Sequence, residues 1–129
     1  MITYRTGNDL DLDVVITGDL GELVDVKESF CIIDDWHLTC FNSSVMVLDA
    51  DTHPEVWEDF RTHKATAGGD QQWITDKLPY SRTFPKEWCV SYRSHAILGP
   101  PKDCKVVCFH GEPKPDSIPS RWVSEYWHE

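Results

Sequence analysis

Short apolar runs divided by polar punctuation set the rhythm of this chain. Val14-Val15-Ile16, Phe30-Cys31-Ile32-Ile33, Val45-Met46-Val47-Leu48 and Val106-Val107-Cys108 are apolar on successive positions, not alternate ones, and rich in β-branched residues. Such runs are read as strands covered on both faces, as in an α/β sheet. The first strand is placed at about Leu10 to Ile16 and is broken by Thr17-Gly18-Asp19. A helical turn follows at Leu20 to Val24, with Asp19 as its cap. A second strand covers Phe30 to Ile33 and is ended by Asp34 and Asp35. Phe41-Asn42-Ser43-Ser44 then leads into a third at Val45 to Leu48, with Asn42 and Ser43 at its mouth.

Beyond these strands the pattern turns helical. Thr52-His53-Pro54-Glu55 carries the Ser/Thr-x-x-Glu capping box with Pro in the first turn, which predicts a helix from Pro54 to His63 with Val56, Trp57 and Phe60 on its apolar face. Gly68-Gly69-Asp70 permits a tight turn and a cap, so a second helix is expected to run from Asp70 to Leu78, where Pro79 stops it. The stretch from Tyr80 to Pro101 is loop-rich around a short strand at Cys89 to Tyr92. A last strand is expected at Lys105 to Phe109, then a rigid turn at His110 to Pro115, then a helix at Ser120 to Trp127 bearing Trp122, Val123 and Tyr126. The expected fold is a single α/β domain over residues 1–129, a mixed sheet flanked by helices.

Composition narrows the partners. Twenty-two acidic residues against 12 basic give a net charge of -10, which repels nucleic-acid backbones and anionic membranes, so no nucleic-acid partner is expected. The chain has no run long and apolar enough for a membrane span. Its five cysteines are an odd number with no apolar leader ahead of them, which suits a reduced, cytoplasmic protein in which they fill core space. Cys104, Cys108 and His110, with His128, match no familiar structural zinc spacing, and Cys89 with His95 makes a weak nucleophile pair.

Four polar clusters sit where predicted strands or helices begin or end: Asp11/Asp13, Asn42/Ser43, Gly69/Asp70/Gln71 and His110/Gly111/Lys114. Ligands of α/β sheets bind at such edges. In an extended chain Asp11 and Asp13 point to one side with their roots roughly 6 to 7 Å apart, a separation that a hydrated Mg²⁺ or Mn²⁺ can bridge through hard oxygen ligands.

Taken together, these clusters resemble the retaining, nucleotide-sugar-dependent glycosyltransferases of the glycogenin and galactosyltransferase-like type, built on the GT-A fold. The likeness covers most of the chain. It rests on Asp11-Leu12-Asp13 running into an apolar stretch, on Phe41-Asn42-Ser43-Ser44 for that family's Phe-Asn-Ser-Gly, and on Gly69-Asp70-Gln71 opening a helix. It also rests on Cys108-Phe109-His110-Gly111-Glu112-Pro113-Lys114-Pro115-Asp116 for the family's His-x-x-Gly-x-x-Lys-Pro-Trp. The resemblance implies that Asp11 and Asp13 hold Mn²⁺ or Mg²⁺ against the donor diphosphate, with Lys114 adding a point charge. It also implies that Asn42, Ser43, Gly69 and Gly111 line the substrate site, and that Asp70 and Gln71 lie at the reacting sugar, Asp70 being the catalytically sensitive acid.

The departures matter. Cys108 stands where the family has its metal-binding His, while His110 lies on the same face of the strand and is the alternative imidazole ligand; Ser44 replaces a Gly and Asp116 a Trp. Ten residues precede Asp11, whereas a βαβ unit needs roughly 30. The fold is therefore expected to lack most of the Rossmann-like half that binds the nucleotide base. A second polypeptide or a homo-oligomer would cover the open sheet edge, with the acceptor left unspecified. The alternative is an inactive, truncated fold serving as an interaction module.

Overall fold

In the computed structural model, residues 3–4, 14–49, 52–54, 69–118 and 121–126 are described. The strands are β1 (Thr3–Tyr4), β2 (Val14–Ile16), β3 (Phe30–Asp34), β4 (Phe41–Leu48), β5 (Arg82–Thr83), β6 (Cys89–Ser91) and β7 (Val106–Cys108). Helices cover Gly21–Val24, Gly69–Lys77 and Arg121–Tyr126, with a π-helical turn at Tyr92–Ala96 and a 3₁₀ turn at Pro115–Ser117. The mixed α/β class expected from the pattern is what the chain adopts.

Among the described residues the expected single sheet is two. One has the order β1-β4-β3-β5 and the other β2-β7-β6, and both mix parallel with antiparallel pairs. Alternate residues explain the stacking. Cys31, Ile33, Val45 and Val47 of the first sheet pack against Val14, Cys89, Val106 and Cys108 of the second. Phe30, Ile32, Met46 and Leu48 turn the other way, onto Trp73 and Ile74 of the Gly69–Lys77 helix. Val15, Val90 and Val107 turn outward onto Tyr92, Phe109 and Val123. The order of layers is helix, sheet, sheet, helix. Each Val, Ile, Leu, Met or Phe side chain among these gains roughly 1.5 to 3 kcal/mol from burial, which favours apolar residues at successive positions of a strand covered on both faces. The continuous apolar runs report that two-sided covering and are silent on which strands share a sheet.

Several boundaries differ from expectation for local reasons. Phe41 to Ser44 belongs to β4, not to a loop ahead of it; the ladder with β3 jumps from Ile32↔Met46 to Ile33↔Asn42, so Ser43, Ser44 and Val45 form a bulge. The described part of the first strand pairs only with β7, and Ile16 at its end is 43% exposed, so it is not the central strand of its sheet among the described residues. Asp19 does serve the first helix, its carboxylate accepting the Gly21 N–H at 2.8 Å. Gly18 follows β2 so tightly against the segment leading into β7 that a Cβ there would stand 2.7 Å from the Cys104 carbonyl oxygen. Pro54 is helical as expected, and residues 55–63, over which the helix is expected to continue, lie outside the described residues. No helix among the described residues is long and apolar enough to cross a membrane.

Candidate functional site

The chain leaves the core at the end of β7. Phe109 is buried and stacks on Tyr92, ring centres 4.5 Å apart, and the next residue, His110, emerges at the rim of the sandwich. Its ring lies nearly parallel to Trp36 at 5.5 Å, and His37 is tilted against it at 6.2 Å. His110 Nε2 is hydrogen bonded to the buried Ser91 Oγ at 2.6 Å, and His37 Nε2 to Ser94 Oγ at 2.6 Å. Trp36 is itself fixed by its indole N–H, which donates to the Cys89 carbonyl at 3.1 Å. Three segments therefore meet here: the loop after β3, the end of β6 with its π-helical turn, and the loop after β7.

Asp35 organises the first of them. Its Oδ1 accepts the backbone N–H groups of His37 and Leu38, both at 2.9 Å, and its Oδ2 accepts from Asn42 Nδ2 at 3.1 Å. Burial by itself would raise the Asp35 carboxyl; those three hydrogen bonds and the nearby His110 outweigh it and hold the group below its ordinary value. Asn42 is 3% exposed and accepts the Ser44 N–H through Oδ1 at 2.9 Å, a side-chain turn that shapes the bulge.

Burial pushes His110 the other way, below the usual histidine range. Asp35 opposes that shift, while Arg93, His37 and Lys114 reinforce it. That direction favours the neutral imidazole, the form that binds a metal ion. Lys114 returns its ammonium towards the same place, donating to the Phe109 carbonyl at 3.4 Å. Beside the cluster opens a cavity of about 500 Å³, with Trp36, Phe84 and Pro101 among its apolar walls and Asp34, Lys86 and Glu87 supplying charge.

The residues predicted from sequence fall into three groups. Asn42, His110, Gly111 and Lys114 come together at this end of the sandwich, Asn42 through its bond to Asp35. Gln71 stands in the Gly69–Lys77 helix, its backbone carbonyl accepting at 2.7 Å from the Thr75 hydroxyl, and it is Thr75 that meets the strand start, Oγ1 accepting the Phe41 N–H at 3.0 Å. Gly69 and Asp70 form the first turn of that helix, and Ser43 sits half-buried in the bulge. Asp11 and Asp13 lie outside the described residues.

Of the two candidates for an imidazole or thiolate ligand, Cys108 faces the interior between the sheets at 1% exposure, while His110 stands at the rim. Cys104 belongs to the opposite face of its sheet from Cys108, which separates the two sulfurs of the zinc-like spacing. All five cysteines are buried and none forms a disulfide with another, and burial raises the thiols of Cys40, Cys89 and Cys104 above the ordinary value, with Asp35 adding to the effect at Cys40. Among the described residues no three His, Cys, Asp or Glu side chains converge as a metal-binding set.

Sequence reasoning passed over Asp35, Trp36, Ser91 and Arg93. Asp35 reads as a strand stop and Ser91 as one more strand residue. The available signal was Asp-Trp-His standing shortly before Phe-Asn-Ser, an aromatic and a histidine beside a turn-forming acid. No family model, curated protein or solved structure matches the chain.

Proposed function

We propose that this chain works as a GT-A-like transferase, handling a nucleotide-diphosphate sugar with a divalent metal ion. The observation that supports the reading best is the meeting of His110, Gly111 and Lys114 with the Asp35–Asn42 network at one end of the sandwich.

In this reading Asp11 and Asp13, with the imidazole of His110, would hold Mn²⁺ or Mg²⁺, the two carboxylates being the hard oxygen ligands that these ions favour. The ion supplies charge neutralisation for the departing diphosphate. Lys114 supplies a fixed positive charge to the same group. The bond from the sugar's anomeric carbon to the diphosphate oxygen breaks, a bond to the acceptor oxygen forms, and the acceptor's proton passes to the departing phosphate. Asp70 and Gln71 orient the reacting sugar, and the cavity beside Trp36 gives the sugar or its acceptor room next to that chemistry. Asn42 acts at one remove, by setting the Asp35 loop that carries Trp36 and His37.

Calorimetry with Mn²⁺ and a panel of nucleotide sugars tests the proposal. Metal-dependent binding that disappears in Asp13→Ala is the expected result; no metal-dependent binding at any concentration overturns it. A second reading, an interaction module without turnover, has one observation in its favour: among the described residues β2 pairs on one side only, leaving an edge that a partner chain or a second copy could extend. Metal-dependent binding without transfer to any acceptor, together with capture of a partner, would favour that alternative.

A further inference from the structure

Arg93 is a strongly basic group at this end of the molecule that neither the strand pattern nor the resemblance picks out. The π-helical turn explains its position. Tyr92 and Ala96 are buried at its two ends, and Arg93, Ser94 and His95 between them face outward. Arg93 is directed at the loop after β7. A Cβ built on Gly111 would stand 3.4 Å from an Arg93 guanidinium nitrogen, and Gly111 has φ +67°, a conformation that keeps side chains away. The guanidinium thus lies against bare backbone.

Charge balance within the fold does not account for it. The chain has 12 basic residues against 22 acidic ones, and Arg93 takes part in no ion pair among the described residues. On the far side of the same short loop Lys114 Nζ reaches back to the Phe109 carbonyl at 3.4 Å. Two cations on separate elements therefore bracket Gly111 in an otherwise acidic protein. A diphosphate carries two phosphoryl groups side by side. An ammonium serves one as a point charge, and a guanidinium takes two oxygens of the other through its fork.

We propose that Arg93, held by the π-helical turn against Gly111, binds the second phosphate of a diphosphate whose first phosphate lies on Lys114. The assignment deepens the transferase reading and rests on it for the identity of the diphosphate as part of a sugar donor. It does not need the metal.

The test is calorimetry of the full chain with inorganic pyrophosphate, first in EDTA and then with Mn²⁺, on the wild type, Arg93→Ala, Arg93→Lys, Lys114→Ala and, as a charge control, Arg121→Ala. Arg93 is exposed, and thermal melts confirm that its variants fold. Arg93→Ala should weaken pyrophosphate binding about tenfold in both buffers, as expected for loss of a charge-assisted hydrogen bond. Arg93→Lys should recover only part of that, and Arg121→Ala should match the wild type. Wild-type affinity in Arg93→Ala beside a loss in Lys114→Ala overturns the Arg93 assignment and leaves the transferase reading standing. An equal drop in Arg93→Ala and Arg121→Ala also overturns it, by showing a general charge effect, as does absence of pyrophosphate binding by the wild type in either buffer. If Arg93→Ala weakens pyrophosphate while no nucleotide sugar binds with Mn²⁺, the anion site stands and the transferase reading falls.

Discussion

Two polar clusters interrupt the apolar strands of this protein, and they are built in opposite ways. The bulge in β4 turns inward: Asn42 is 3% exposed, and each of its amide atoms has a partner, Asp35 on one side and the Ser44 N–H on the other. The loop after β7 turns outward, with Gly111 and Glu112 exposed and Arg93 and Lys114 closing on it from two elements. Similar residues at similar sequence positions therefore do different work. A buried amide bonded on both sides determines how the backbone runs, whereas the exposed Arg93 guanidinium beside the bare backbone of Gly111 can serve a ligand.

If that contrast is right, substitutions in the bulge should act on stability and substitutions around Gly111 on binding. The largest effect is expected at Asn42→Ala, which strips the Asp35 carboxylate of a donor inside the fold and should cost about 2 to 3 kcal/mol in chemical denaturation. Asp35→Asn comes next. It keeps an acceptor for the turn N–H groups but loses the charge, and should cost about 1 to 2 kcal/mol at neutral pH.

The pH dependence follows from the direction of the shift. The folded state holds the Asp35 carboxyl below its ordinary value, so the unfolded chain takes up the proton first as pH falls. The stabilisation is complete above the unfolded carboxylate range and is lost as pH drops through it towards the folded value. Denaturation curves of wild type and Asp35→Asn should converge below about pH 4. Convergence at higher pH would mean that another group carries the acid limb.

Smaller effects are expected around the second cluster. Gly111→Ala places a side chain in the left-handed region and against Arg93, and should cost about 1 to 2 kcal/mol while also weakening pyrophosphate binding. Lys114→Ala should change stability by no more than about 0.5 kcal/mol and act almost wholly on anion affinity. A Lys114 variant as destabilised as Asn42→Ala would erase the distinction between the two clusters.

Much of the fold could be read in advance, because strands covered on both faces leave an unmistakable apolar run. Val106-Val107-Cys108 and Phe30-Cys31-Ile32-Ile33 fall where the pattern places them, as does the helix over Gly69–Lys77, whose Trp73 and Ile74 bury on β3 and β4. The division into two sheets was not legible, since Val45 is apolar whether its neighbour across the gap is a helix or Val106. The site was legible where its residues come in motifs, as at His110-Gly111 and Lys114. It was hidden where a role depends on tertiary placement: Ser91 bonds His110 from a strand that ends 19 residues earlier, and Arg93 reaches Gly111 because one helical turn is wide.

The pairing of β2 with β7 has a consequence for how the protein is made. Val14 cannot gain its partner until Cys108 has been synthesised, so a nascent chain holds the Val14-Val15-Ile16 segment unpaired while about 90 further residues emerge. During that interval the segment is a bare β-prone stretch, open to chaperones or to the same segment on a neighbouring polysome chain. Yield on expression should therefore respond to substitutions at Val106 to Cys108, which complete the sheet late, more steeply than their effects on the finished protein would suggest.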